Sequence, residues 1–146
     1  AFVDFLVASL IYVAMLVWYR MPIYPTALLL PLLVAIQLAL TLGVVLLGSA
    51  ALVFYRDVRF LVPLGLQLWL YASPVIYPVT LIPAQWLWLY RLNPMVGILE
   101  GYRAILLHGQ WPSADLLLPA VLISLALLLA GYAWFKRVEP SFADLI

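Results

Sequence analysis

The sequence has no cysteine, which excludes disulfides, thiol nucleophiles and thiolate metal sites. Charge is nearly as scarce: 9% of the 146 residues are Asp, Glu, Lys or Arg, and the formal net charge is +1. No basic run of the kind that binds nucleic acid is present. The single histidine, His108, stands near a helix end and builds no metal set, so a solvated or capping role suits it. No close carboxylate pair, no HExxH and no serine in a nucleophile context occurs, so a membrane enzyme is disfavoured. A GxxxxGK[ST] phosphate loop is missing too, so the chain does not bind and hydrolyse ATP in the usual way and no cofactor is expected.

What remains is apolar. The chain is 68% hydrophobic, with a mean hydropathy of +1.18. A soluble domain of this size cannot hide that much apolar surface, so its solvent is lipid over most of the exterior. The apolar runs are long and Leu-rich rather than alternating, which favours helices over a barrel. The expected fold is an all-α integral membrane protein with four spans, at about residues 1–19, 27–54, 60–79 and 116–135. The first run lacks the charged start of a signal peptide, and the chain reads as a piece of a larger membrane protein.

The stretch around which the rest is organised is 55–78, YRDVRFLVPLGLQLWLYASPVIYP. It opens on Tyr55, Arg56, Asp57 and Arg59, the densest charge cluster in the sequence. Pro63 is expected in the first turn of its helix, and Pro74 and Pro78 should kink or stop the other end. The second span carries Gly43, Gly48, Ser49 and Ala50 as small surfaces for close helix contact. Its Gln37 is expected to hydrogen-bond to a neighbouring helix.

Residues 83–108 hold the least ordinary region, a short helical hairpin, re-entrant or interfacial. Asn93 and Pro94 form a helix start, cap followed by first helical residue. The helix that follows is too short to span and pairs Gly97 with Gly101 and Glu100 with Arg103 on its faces. Four spans place both chain ends and the Tyr55–Arg59 loop on one side, with Arg56, Arg59, Lys136 and Arg137, against Arg20, Arg91 and Arg103 on the other. The positive-inside rule then puts both ends in the cytoplasm.

Three separated motifs carry a family likeness: the 55–78 run, LNPMVGILEGYR at 92–103, and FKRVEPSFADLI at 135–146. Together they resemble the C-terminal part of an ABC-2 type permease. The branch they look most like exports polysaccharides and polyol phosphates: O-antigen, capsule and teichoic acid. The resemblance implies six spans, of which this chain holds the last four. An amphipathic N-terminal helix, two spans and the main coupling helix would lie upstream, and the fragment alone should not transport. It also implies a permease homodimer in the inner membrane, a separate cytoplasmic ATPase subunit that binds the ATP, and a glycan on an undecaprenyl pyrophosphate carrier as substrate. The hairpin would line the outer mouth of the pore.

Several alternatives stay open at this level. Tyr55, Arg56, Asp57 and Arg59 either meet the ATPase or the carrier's phosphates, or anchor helix ends in the lipid surface. Trp69, Tyr71 and Tyr77 either line a sugar path or belong, with Trp86, Trp88 and Tyr90, to an interfacial belt. Glu100 and Arg103 either gate the mouth or neutralise each other. The whole chain is either an exporter permease, for polymer or for drug and lipid, or a non-transporting membrane scaffold.

Overall fold

A computed structural model of the chain describes residues 2–20, 24–75, 77 and 81–143. These residues form six α-helices and no strand. They are α1 (Phe2–Trp18), α2 (Leu30–Phe54), α3 (Val58–Ala72), α4 (Leu87–Arg91), α5 (Pro94–Leu107) and α6 (Ala114–Ala143). Short 3₁₀ turns precede α2 at Pro25–Leu29 and α4 at Ala84–Trp86. Two helical stretches are long and apolar enough to cross a membrane, Pro25–Phe54 and Ala114–Glu139, while the apolar parts of α1 and α3 are shorter. Ala1, Pro78 and the tail 144–146, to which sequence expectations were attached, lie outside the described residues.

The core is a three-helix junction. Leu33, Ile36 and Leu40 of α2 meet Ile98 and Ile105 of α5 and Ala120 of α6, all nearly inaccessible to solvent. Small residues let the backbones touch. A Cβ on Gly43 would lie 2.7 Å from the backbone of Leu127 and Leu128, and one on Gly131 would lie 2.7 Å from the Gly43 carbonyl. Gly131 also faces Leu46 and Leu47, so the contact advances in the same direction along both helices and α2 and α6 run parallel. Gly48, by contrast, has nothing within 4 Å, so only one of the two α2 glycines serves the contact.

The helix α5 wedges into the head of this pair. Gly97 abuts the Leu116 carbonyl and Ala120 on α6, and Gly101 lies against Leu33 on α2, so the GxxxG pair faces two different neighbours. Tyr102 donates its hydroxyl hydrogen to Gln37 Oε1 at 2.8 Å, which gives Gln37 the neighbouring-helix partner its depth demands. Thr26 Oγ1 donates to the Ile105 carbonyl at 3.2 Å and ties the start of α2 to the end of α5.

The helix α3 has other bounds than the expected span 60–79: it starts earlier, and it stops at the expected proline break. It starts at Val58, two residues early, because the Asp57 carbonyl already accepts from the amides of Phe60 and Leu61. Pro63 therefore sits inside the helix rather than in its first turn, and the Arg59 carbonyl has no amide one turn on to receive. The helix ends at Ala72 instead of reaching residue 79. Pro74 disfavours helical backbone at the residue before it, and Ser73 is extended at φ −100°, ψ 142°.

At the opposite extreme, α6 outruns its expected end at 135 and carries Lys136 and Glu139 in its last turns, paired at 2.7 Å. The helix α1 packs extensively against none of the other described helices, and most of its apolar side chains are exposed.

Candidate functional site

The broken head of α3 is the most elaborated polar region of the molecule. A helix leaves its last carbonyls without partners, and in lipid no water is there to take them. Every carbonyl from residue 70 to residue 75 nevertheless has a donor. Leu70 O accepts from the Ser73 amide at 3.3 Å and Ser73 O from the Val75 amide at 2.7 Å. Tyr71 O accepts from the Tyr77 hydroxyl at 3.3 Å, and Ala72 O from Asn93 Nδ2 at 3.4 Å. Pro74 O and Val75 O both accept from Arg103 Nη2, at 2.5 and 3.1 Å. The proline break is thus repaired by local amides, the Tyr77 hydroxyl and two side chains of the hairpin, Asn93 and Arg103.

Asn93 is used to capacity. Its Oδ1 accepts from the Met95 amide at 3.1 Å, which caps α5, and from the Trp69 indole at 2.8 Å. Its Nδ2 donates to Ser73 Oγ at 3.0 Å as well as to Ala72 O. Two acceptor sites and two donors are all an amide side chain has. Pro94 follows as the first helical residue, where its missing amide costs nothing.

Arg103 forms the second attachment. Its Nη1 donates to Glu100 Oε1 at 2.6 Å, an i,i+3 pair on the same face of α5, both side chains about one-quarter exposed. That pairing offsets the cost of a charge at this depth and leaves Nη2 for the α3 carbonyls. The Arg103 carbonyl lies 3.2 Å from His108 Nδ1, so the lone histidine closes the end of α5.

Aromatic side chains surround this junction. Trp69, Tyr90 and Asn93 line a cavity of about 470 Å³ together with Leu89, Leu92 and Pro94. A second, of about 380 Å³, lies between Tyr77, Trp86 and Tyr90. Tyr90 borders both, and its hydroxyl lies 2.9 Å from that of Tyr77. Trp69 packs on the hydrophobic core, whereas Tyr71 is 62% exposed, so the two point to different surroundings.

The charged foot is built differently. Tyr55, Arg56, Asp57 and Arg59 are all exposed, and Arg59 stacks on the Phe60 ring with its carbon 4.6 Å from the ring centroid. Asp57 precedes α3 without capping it through its side chain. The structure therefore brings Trp69, Tyr77, Asn93, Pro94, Glu100 and Arg103 to one end of α3 and leaves the Tyr55–Arg59 group at the other. Gly97 and Gly101 belong to the helix contacts of α5, not to the cavities.

Sequence reasoning missed Ser73, which is 2% exposed, and the Pro74 and Val75 carbonyls. The signal for them was the proline itself, which frees carbonyls that something polar must reach.

Among the described residues no group of three or more His, Cys, Asp and Glu could hold a metal ion.

The family model for the ABC-2 type transporter matches residues 2–107. The chain is similar to the O-antigen export system permease protein RfbA of Myxococcus xanthus, 36% identical over 119 residues. That match covers 80% of this chain and 45% of the relative. Two proteins of the same description from Klebsiella pneumoniae are 24% and 25% identical over 116 residues, covering 80% of this chain and 44% of each relative. The chain thus spans somewhat under half the length of the curated relatives it matches. No solved structure matches it.

Proposed function

This chain belongs to the ABC-2 type transporter family, and we propose that it forms the C-terminal part of a permease that moves a lipid-linked polysaccharide across the inner membrane. The O-antigen export permeases among its relatives support the substrate class. ATP would be bound and hydrolysed by a separate cytoplasmic subunit, and the permease would pair with a second copy of itself.

The observation that carries this reading is the aromatic junction at the break of α3. Trp69, Tyr77, Trp86 and Tyr90 line two cavities that share Tyr90. Ring faces suit the C–H faces of sugars and demand no particular linkage, as passage of a repeating polymer requires. Trp69 and Tyr71 stand closest to the path in this reading, with one packing behind it.

Three crossings, by α2, α3 and α6, are supported by the parallel run of α2 and α6, and the apolar α1 would make the fourth. Two parallel spans need an odd number of crossings between them. The helix α3, 15 residues or roughly 22 Å long, falls short of a bilayer core by itself; with residues 73–75 beyond it, it is the longest described stretch between them and is taken as the return. Phe54, Val58 and Glu139 then share a side, with Arg56, Arg59, Lys136 and Arg137, which favours that side as cytoplasmic. Both ends of the chain fall there, and the exposed Arg56 and Arg59 stand where an ATPase subunit or the carrier's phosphates would meet them.

The test is reconstitution of the full-length permease with its ATPase in lipid vesicles. ATP-dependent transfer of a lipid-linked glycan to the far leaflet is expected. An assembled complex that hydrolyses ATP and moves no glycan would exclude this substrate class.

A further inference from the structure

The helix α3 is held unevenly. Along its length its main neighbour is α2, and the two are separated by a cavity of about 280 Å³ between Leu40–Val45 and Leu66–Ser73. The polar groups on that cavity are already committed elsewhere: Thr41 to the Gln37 carbonyl, Ser73 and Trp69 to Asn93. Nothing polar therefore bridges the gap. At the head of α3 the situation reverses, with Asn93 and Arg103 making five hydrogen bonds to four successive residues, Ala72–Val75, and to Trp69.

From this contrast we infer that Asn93 and Arg103 are positioning residues, a two-point latch that fixes where the head of α3 stands and so how Trp69 and Tyr71 are placed relative to the path. This rests on the exporter reading for its consequence but not for its geometry. Neither residue needs to touch substrate. Asn93 sets the indole of Trp69 directly, through the 2.8 Å bond to its nitrogen. Arg103 holds the two carbonyls beyond the break, and Glu100 fixes the guanidinium so that one nitrogen is left for them. Each tie joins a side chain of the α5 segment to the Trp69 ring, the Ser73 hydroxyl or a backbone carbonyl at the head of α3. The pose of α3 is thus slaved to α5, which is itself wedged into the rigid α2–α6 pair.

Two conservative variants separate the latch from ordinary folding roles. Asn93→Ser keeps a good cap for α5 but is too short to reach Trp69 and Ala72. Arg103→Lys keeps the charge opposite Glu100 but loses the planar fork that serves two partners at once. Ser73→Ala removes one acceptor of Asn93 and is a milder change.

The experiment uses the full-length permease with its ATPase in nanodiscs and reads backbone hydrogen exchange and glycan transfer side by side. Loss of these bonds should speed exchange over residues 66–75 about tenfold while residues 33–47 of α2 keep their protection. Glycan transfer per molecule should fall by a similar factor, with membrane abundance and ATP hydrolysis retained. Ser73→Ala should move both in the same direction by less. Unchanged exchange in 66–75 in Asn93→Ser and Arg103→Lys overturns the latch, and so does faster exchange with transfer untouched. Equal loosening of α2 and α3 assigns these residues to general folding and overturns it as well. If the wild-type complex transfers no glycan, the exporter reading fails, and the exchange rates alone judge the latch.

Discussion

The molecule holds its helices in two opposite ways. The α2–α5–α6 junction is fastened by shape: glycines admit a neighbouring backbone, and Leu33, Ile98 and Ile105 fill what is left. The helix α3 is fastened by polarity, through side chains that reach the carbonyls its proline break exposes. Shape packing in lipid is tight and hard to reverse, since a membrane supplies no hydrophobic drive to rebuild a lost fit. Polar ties at a helix end hold a position without locking the full length of the helix.

The comparison breaks most severely at Gly97. A side chain there would run into the Leu116 carbonyl, a backbone atom that has no room to move aside. Gly97→Val should lose most of its membrane abundance, at or beyond the upper end of the ~1–3 kcal/mol typical of overpacking. Abundance by immunoblot measures it. Gly48→Val, with open space around its site, serves as the contrast and should insert normally.

The next largest effect is expected for Leu33→Ala, at 1% exposure in the three-helix core. Removing it should cost about 2–5 kcal/mol by analogy with soluble cores. Leu66→Ala, on the α3 side of the α2–α3 cavity and 48% exposed, should cost clearly less. Thermal unfolding of the two purified variants in detergent compares frame with rod. Equal losses would remove the distinction between them.

A smaller loss is expected for Tyr102→Phe, which strands Gln37 Oε1 inside the junction. An unpaired buried acceptor costs about 1–3 kcal/mol. Adding Gln37→Leu removes the stranded group, so the double variant should recover part of the stability lost by Tyr102→Phe alone. A double-mutant cycle on the same unfolding assay checks it.

How much of this was legible beforehand depended on whether the cause was local. Asn93 and Pro94 start α5 as their order predicts, because a cap acts on amides two or three residues away. Glu100 and Arg103 pair because one helical turn brings them together. The stop after Ala72 follows from Pro74 by sterics alone. Partners across the fold were not legible. Nothing in the sequence separates Gly43, which touches α6, from Gly48, where a Cβ would meet open space, since the rotation of α2 decides it. The two donors that Asn93 sends to the end of α3 depend on where the hairpin docks. The start of α3 was misplaced because Asp57 carries it through a backbone carbonyl, which any residue supplies.

The smallest effect on the fold is expected at the charged foot, and that makes it the cleanest place to read function. Arg56, Asp57 and Arg59 are exposed, and Arg59 stacks on the Phe60 ring. A stacked exposed cation is worth about 0.5–1 kcal/mol, so Arg56→Ala with Arg59→Ala should leave insertion and abundance close to wild type. Any large loss of glycan transfer must then come from a lost partner rather than a lost fold. The foot either anchors the helix end or recognises a partner, and a second variant sorts the two roles. Arg56→Lys with Arg59→Lys retains both positive charges, which is all that anchoring at a cytoplasmic surface asks. It gives up the planar fork that recognises a carboxylate or phosphate through two parallel bonds. If the foot is an anchor, the alanine pair loses correct orientation and the lysine pair restores it. If the foot reads an ATPase carboxylate or a carrier phosphate, the lysine pair inserts correctly and still transfers poorly. Transfer at wild-type rate in the alanine pair would leave these arginines no part in either role.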